Sequence, residues 1–348
     1  MSRYDKRIRR EDSSHVKRVR QMKQVYYRPL LILAVVACVM ALSGWSAEIP
    51  DQQNRLRARL LFSGNTLGYI DPCECSAGLL GGLDRRMYAV EEHRNDDLPT
   101  VLFDLGNIFE TPQGGPMTEL GRRQARFISD EMEQMGYSFV ALGYRDLSFP
   151  PEFLADYLPD LEHPPLLTNR AEDYDAGFET VPRIRLELGE LTMDVFSVVE
   201  PQTLGNEGEK IVSRWEEILT RELERSTNGN DPADLQMVIA NVQWGVSEEM
   251  PEWYPQIDIL INGTWLLPRQ ATRIRDTVNM TAAGKGQMLA SLDISAFARS
   301  NQREGRPAIL GFQGLQVALD PAHPSAPRVK ARMVAFREQL IRDGLILP

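Results

Sequence analysis

Residues 135–149 read MGYSFVALGYRDLSF. The apolar run Phe139–Leu142 suits a short buried strand, and Gly143 closes it at a turn. Just before it, Met117–Met135 carries the apolar spacing of an amphipathic helix, and Glu152–Leu161 carries it again just after. Moving outward, strand-like runs recur at Leu60–Ser63, Val101–Leu105, Leu166–Thr168, Met193–Val199, Met237–Val242, Ile257–Ile261, Met288–Ile294 and Ile309–Ala318. Further helical periods fall at Leu83–Arg94, Ile211–Arg225 and Val329–Arg342. Strands alternating with amphipathic helices predict a layered α/β domain in which helices cover a sheet. The turn-rich stretches 228–232 and 321–327 are loops.

Composition narrows the function classes. The chain has 348 residues, 39 Lys and Arg, 49 Asp and Glu, and a net charge of -10. Ten of the basic and three of the acidic residues lie in 1–29, so that head is +7 and the remainder is -17. An acidic body offers no clustered cations for phosphate backbones, which argues against a nucleic-acid partner. Three cysteines exclude a disulfide-built scaffold, and four histidines leave little for a His-rich metal site.

Between head and body, Leu30–Ala47 reads LLILAVVACVMALSGWSA, eighteen residues without a charge. That reaches the lower limit for a membrane-spanning helix. The basic head would stay cytoplasmic, leaving a single-pass inner-membrane protein with its main domain in the periplasm. A cleaved signal peptide ending near Ala47 is one alternative, and a weak lipobox at Val35–Cys38 is another. All three export the body. The expected organisation is a basic cytoplasmic segment 1–29, an anchor or signal segment 30–47 and a tether 48–58. A folded domain 59–320 and a C-terminal helical segment 321–348 packing on it complete the chain.

Five blocks resemble the metallophosphoesterase domain of the 5'-nucleotidase (calcineurin-like) family. They are FSGNTLGYIDP from Phe62 with GGLDRR at Gly81–Arg86, FDLGNIF at Phe103–Phe109, and Met135–Phe149 followed by PLLTN at Pro165–Asn169. VIANVQWG at Val238–Gly245 and DILINGTWLL at Asp258–Leu267 complete the set. The resemblance covers roughly residues 58–295. It implies an α/β sandwich of mixed sheets flanked by helices, here preceded by one N-terminal transmembrane helix. It also implies two metal ions held by an Asp-x-His, an Asp, an Asn-His pair and histidines in the last two blocks. Two dications need such carboxylates and imidazoles to balance their charge.

This sequence departs from that set. The Asp-x-His falls on Asn65-Thr66-Leu67 and the bridging Asp on Asn107; the Asn-His pair falls on Tyr144-Arg145. The fourth-block histidine falls on Gln243, the last His-x-His on Thr264-Trp265-Leu266, and the Asp that would orient the catalytic acid on Ser148. None of His15, His93, His163 and His323 sits at a ligand position. The family's C-terminal nucleotide-binding domain has no counterpart. Arg145 is expected to stand in for metal charge by pairing with Asp104 or Asp146, with Leu67, Tyr144, Trp265 and Leu266 filling the basin. Asp104 and Asp146 also suit helix or turn caps, and Trp244 and Trp265 suit core or interface positions.

The loop Asp71-Pro72-Cys73-Glu74-Cys75-Ser76 resembles a Pro-Cys-x-Cys element of a bacterial subgroup of these proteins. Cys73 and Cys75 are candidates for a small strained disulfide, for thiol redox exchange or for soft-metal capture, with a static loop staple as the plain alternative. The expected function is thus a membrane-anchored, periplasmic pseudo-phosphoesterase that binds or assembles with a protein partner and needs no cofactor. The alternatives are a metal-dependent phosphoesterase keeping one ion on Asp71, Asp104 and Asp146, and a thiol-redox protein.

Overall fold

The computed structural model describes residues 55–75, 78–94, 97–110, 117–264, 267–298 and 308–347, excluding the side chains of Glu74 and Cys75. The apolar segment Leu30–Ala47, the basic head, Cys38, Trp265 and Leu266 lie outside the described residues. Among the described residues no helix is long and apolar enough to cross a membrane.

The strands are β1 (Arg55–Ser63), β2 (Cys73–Cys75), β3 (Gly78–Leu80), β4 (Thr100–Asp104), β5 (Phe139–Val140), β6 (Ile184–Leu188) and β7 (Leu191–Val199). Then come β8 (Leu235–Asn241), β9 (Ile259–Asn262), β10 (Arg269–Ile274), β11 (Thr277–Thr281), β12 (Met288–Phe297) and β13 (Ile309–Ala318). The helices are α1 (Leu83–His93), α2 (Glu119–Met135), α3 (Pro151–Tyr157), α4 (Gly208–Ile211), α5 (Trp215–Asn228), α6 (Trp244–Trp253) and α7 (Pro327–Arg342).

One sheet runs β13-β12-β1-β4-β5, the other β10-β11-β9-β8-β7-β6, and β2 with β3 forms a separate ribbon. β1, β4 and β5 are parallel in the first sheet; β7, β8, β9 and β11 are parallel in the second. The strand period of two sorts their side chains. Leu60, Phe62 and Phe103 point to the inter-sheet core, where they meet Val195, Met237, Ile239 and Ile261. Phe62, Phe103 and Phe139 stack across three strands with centroids 5.5 and 4.9 Å apart. The opposite faces are also apolar, as expected for parallel strands buried on both sides. Leu61 and Leu102 pack under α1, α2 and α7; Phe196, Val238 and Leu260 pack under α5 and α6. The order of layers is therefore helix, sheet, sheet, helix.

Several elements differ from the sequence reading. β1 begins at Arg55, inside the stretch read as tether, because its first half pairs antiparallel with β12 from Arg55↔Phe297 onward. Leu166 makes only isolated bridges, to Ala141 and Val181. Ile211 ends α4, and α5 starts afresh at Trp215. β6, β10, β11, the β2–β3 ribbon and α6 were not indicated by periodicity.

Candidate functional site

The parallel strands of both sheets deliver their loops to one end of the sandwich, the usual place for a site in such sheets. After β1 the chain turns through Asn65 (φ 50°) and Leu67 (φ 53°), and after β4 through Asn107 (φ 57°), all left-handed. Asparagine tolerates that conformation, whereas for Leu67 it costs about 1 kcal/mol. Backbone pairing holds the two loops together: Asn65 N donates to Gly106 O at 2.8 Å, Leu67 N to Asn107 O at 3.0 Å and Gly68 N to Ile108 O at 2.8 Å. Gly106 (φ 94°) must be glycine, since a Cβ there would lie 2.5 Å from Gly143 N and 2.6 Å from Ala141 O.

The side chains at these turns form a continuous chain of amides. Arg145 N donates to Asn107 Oδ1 at 2.9 Å, and Asn107 Nδ2 donates to Asn65 Oδ1 at 2.7 Å. Asn65 Nδ2 then donates to the Gly263 carbonyl at 2.9 Å, reaching the second sheet. From that sheet Asn241 Nδ2 reaches back toward Leu105 O at 3.4 Å. Asn65, Asn107 and Asn241 are all buried. Asn262 at the end of β9 accepts from Thr264 N and Thr264 Oγ1, each at 3.1 Å.

Two carboxylates underlie this chain. Asp146 accepts from Asn107 N (2.5 Å), Ile108 N (2.9 Å) and Gly143 N (3.0 Å), so it pins the loop after β4 to the loop after β5. Burial nonetheless outweighs those donors and pushes its carboxyl up to about 6. Asp104 accepts from Ser63 Oγ at 2.6 Å and Gly106 N at 2.8 Å, and burial raises its pKa as well. Ser63 Oγ also lies 2.7 Å from the Tyr137 hydroxyl, itself raised by burial. Arg86, fully buried, donates to Thr66 Oγ1 at 3.2 Å.

The pairing expected of Arg145 is not found. Its Nε donates to Tyr144 Oη at 3.1 Å with the guanidinium over the Tyr144 ring, and among the described residues no ion pair joins it to Asp104 or Asp146. The backbone donors already satisfying Asp146 leave it no need of a cation. Nor does Leu67 fill the basin: it is half-buried and lines a groove toward α7. Gln243 is exposed at the start of α6, its backbone N on Glu200 Oε2 at 2.9 Å. Ser148 is exposed, donating to the Arg145 carbonyl. Trp244 stacks under Arg269, 4.1 Å from guanidinium to ring centroid.

A two-metal centre does not fit these residues. At the positions where the resemblance implies ligands, Asn65 and Asn107 spend their amide oxygens on protein donors, and Leu67 offers none. Among the described residues no three His, Cys, Asp or Glu side chains gather into a metal site. Asp71 is separate from Asp104 and Asp146, with Arg337 and Asp84 as its charged neighbours. That removes the proposed three-acid site. The cysteine loop also differs from a tight ring: Cys73 and Cys75 lie in extended β2, paired with Leu80 and Gly78. An extended backbone separates such Cα atoms by about 6.6 Å, at the far edge of disulfide reach. The Cys75 side chain is outside the described residues.

Sequence reading missed Asn241, Asn262 and Gly263 as members of the network. Their common signal was present: each asparagine closes an apolar strand run.

Solved structures of the same architecture decide the fold. The 5'-nucleotidase precursor of Thermus thermophilus superposes with a TM-score of 0.66 at 16% identity, covering 82% of this chain and 59% of its own. The fold is that of the 5'-nucleotidases and calcineurin-like phosphoesterases. The phosphoesterase YfkN of Bacillus subtilis (TM-score 0.64, 13% identity) is covered over 98% of its length by 83% of this chain. The sulfate thiohydrolase SoxB of Thermus thermophilus gives 0.63 at 13% identity, covering 83% of this chain and 61% of its own. This phosphoesterase-fold chain therefore spans less than two thirds of the Thermus proteins it resembles. No protein-family profile and no curated protein sequence matches it.

Proposed function

We propose that this chain is a membrane-anchored, exported phosphoesterase-fold protein that binds or assembles with a protein partner and does not hydrolyse phosphate esters. One observation carries the reading: the amide chain from Arg145 N through Asn107 and Asn65 to Gly263 joins neutral, mutually hydrogen-bonded groups at positions where the sequence resemblance implies metal ligands. Such a site folds without cations, because its amides are neutral and the two carboxylates beneath them, Asp104 and Asp146, are held by protein hydrogen-bond donors. The anchor is Leu30–Ala47, supported by eighteen uncharged residues behind a +7 head, which puts the acidic body in the periplasm and the head in the cytoplasm. Residues 59–320 and the C-terminal 321–348 form the exported part.

The test is elemental analysis and turnover on the full chain in detergent, with manganese or zinc offered. The expected protein retains no stoichiometric metal, releases no phosphate from nucleoside monophosphates or p-nitrophenyl phosphate, and melts at the same temperature in chelator. Retention of about two equivalents with metal-dependent phosphate release would overturn the reading. About one equivalent, lost on Cys73→Ser with Cys75→Ser, would move the chemistry to the cysteine loop.

A further inference from the structure

Resting on that binding reading, we propose that a groove between the β1–β2 loop and α7 is the partner-docking site, and that it takes a segment presenting an apolar side chain beside a lysine or arginine. The groove encloses about 660 Å³, a volume within the range of functional binding pockets. Ile70, Met333, Phe336 and Leu340 make an apolar floor; Asp71 and Glu110 stand on one side and Arg337 on the other.

Three features favour this occupant. First, the lining carries apolar surface open to solvent: Tyr69 on the loop is an exposed large side chain, and Leu67, Phe336 and Ile346 are half-buried. Exposed apolar side chains gathered at a hollow mark interaction surfaces. Second, among the described residues neither Asp71 nor Glu110 has an ion-pair partner within salt-bridge distance. Arg337 influences Asp71 only through space, and Lys285 stands over the Tyr69 ring rather than against either acid. Partial burial raises the Asp71 pKa against the opposing pull of Arg337, and Asp84 adds to the rise. Third, the chain beyond residue 29 carries a net charge of -17, so its long-range field draws a basic segment and repels an acidic one.

The occupant is a separate protein segment. The chain's own basic residues 1–29 are placed across the membrane by the topology proposed above.

The experiment uses the full chain in detergent and a fluorescent peptide alternating leucine and lysine, with a leucine–glutamate peptide as control. Asp71→Asn with Glu110→Gln should weaken lysine-peptide binding about tenfold. Arg337→Glu, on the opposite wall, should tighten it, and the glutamate peptide should not bind. These residues are exposed, so folding is retained, and circular dichroism checks it. Glu187→Gln with Glu190→Gln makes the same charge change on exposed positions elsewhere and should leave binding unaltered. Equal weakening by this control pair, or no response to the groove variants, would overturn the proposal. Tighter binding once residues 1–29 are removed would assign the groove to the chain's own head and overturn it equally. None of these variants touches Asn65 or Asn107, so a failed groove leaves metal independence intact, and metal-dependent turnover would sink the non-catalytic reading whatever the peptide does.

Discussion

At the residue scale, Asn107 is where the proposed metal-free site is most directly tested. Its Oδ1 accepts from Arg145 N and its Nδ2 donates to Asn65 Oδ1. Asn107→Asp replaces that donor with a second acceptor facing Asn65 and buries a charge. Thermal or urea unfolding at pH 7 should show a loss of about 2 kcal/mol, smaller at acid pH, where a protonated carboxyl can donate again. Full rescue of this variant by manganese would contradict the donor-set reading. Asp146 gives a second signature. Its pKa of about 6 in the fold exceeds its unfolded value of 3.8, so the folded state holds the proton more tightly. Stability should therefore fall as pH rises from about 4 to about 6, by on the order of 3 kcal/mol, and stay level above. Asp146→Asn should flatten that window while lowering stability overall, because an amide nitrogen replaces one of the two oxygens that accept from the backbone. The asparagines at Asn65 and Asn107 were legible as residue types in the sequence. The hydrogen bonds between them were not, since a letter does not say which way an amide points.

At the element scale, legibility followed burial and period. β7 and β8, buried on both faces, announced themselves as continuous apolar runs. β11 reads TVNMT and is wholly buried, yet its threonines and asparagine hide it; its place comes from pairing with β9 and β10. β10 is largely exposed and shows no clean alternation. α6 holds Pro251 and only a short buried stretch, so its helical period is weak. α7 was legible, but not how it is held. Glu131 on α2, 1% exposed, is paired with Arg332, whose Nε lies 2.6 Å from Glu131 Oε1, and Phe127 stacks on Phe336 at 4.5 Å. Arg332→Ala leaves the buried carboxylate uncompensated and should cost about 3 kcal/mol in chemical denaturation, whereas Arg332→Leu with Glu131→Leu should recover most of that loss. A double variant no more stable than Arg332→Ala would show that α7 docks through the ion pair itself rather than through apolar packing.

At the scale of the whole molecule, the two sheets share an apolar central core and are also joined by polar links: the amides at the loop end, and elsewhere Gln316 of β13 donating to the Arg269 and Thr281 carbonyls and Arg273 of β10 donating to the Ile309 carbonyl. At the loop end, Asn65 crosses from the β1 end to Gly263, and Asn241 from the β8 end toward Leu105. They are not equivalent. Asn65 sits in the middle of the chain, donating at 2.9 Å and accepting at 2.7 Å. Asn241 makes one long contact, and its buried Oδ1 has no hydrogen-bond partner among the described residues. Asn65→Ala therefore strips a partner from both Asn107 Nδ2 and the Gly263 carbonyl, and should cost on the order of 3 kcal/mol. Asn241→Ala gives up little and should cost under about 1 kcal/mol. Urea unfolding of the two variants in chelator measures the difference directly. Equal costs would mean that the Asn65 crossing holds the loop ends together no more firmly than the long Asn241 contact. The predicted asymmetry, unchanged by added metal, would make Asn65 the principal polar link at the loop end and support the proposed metal-free site.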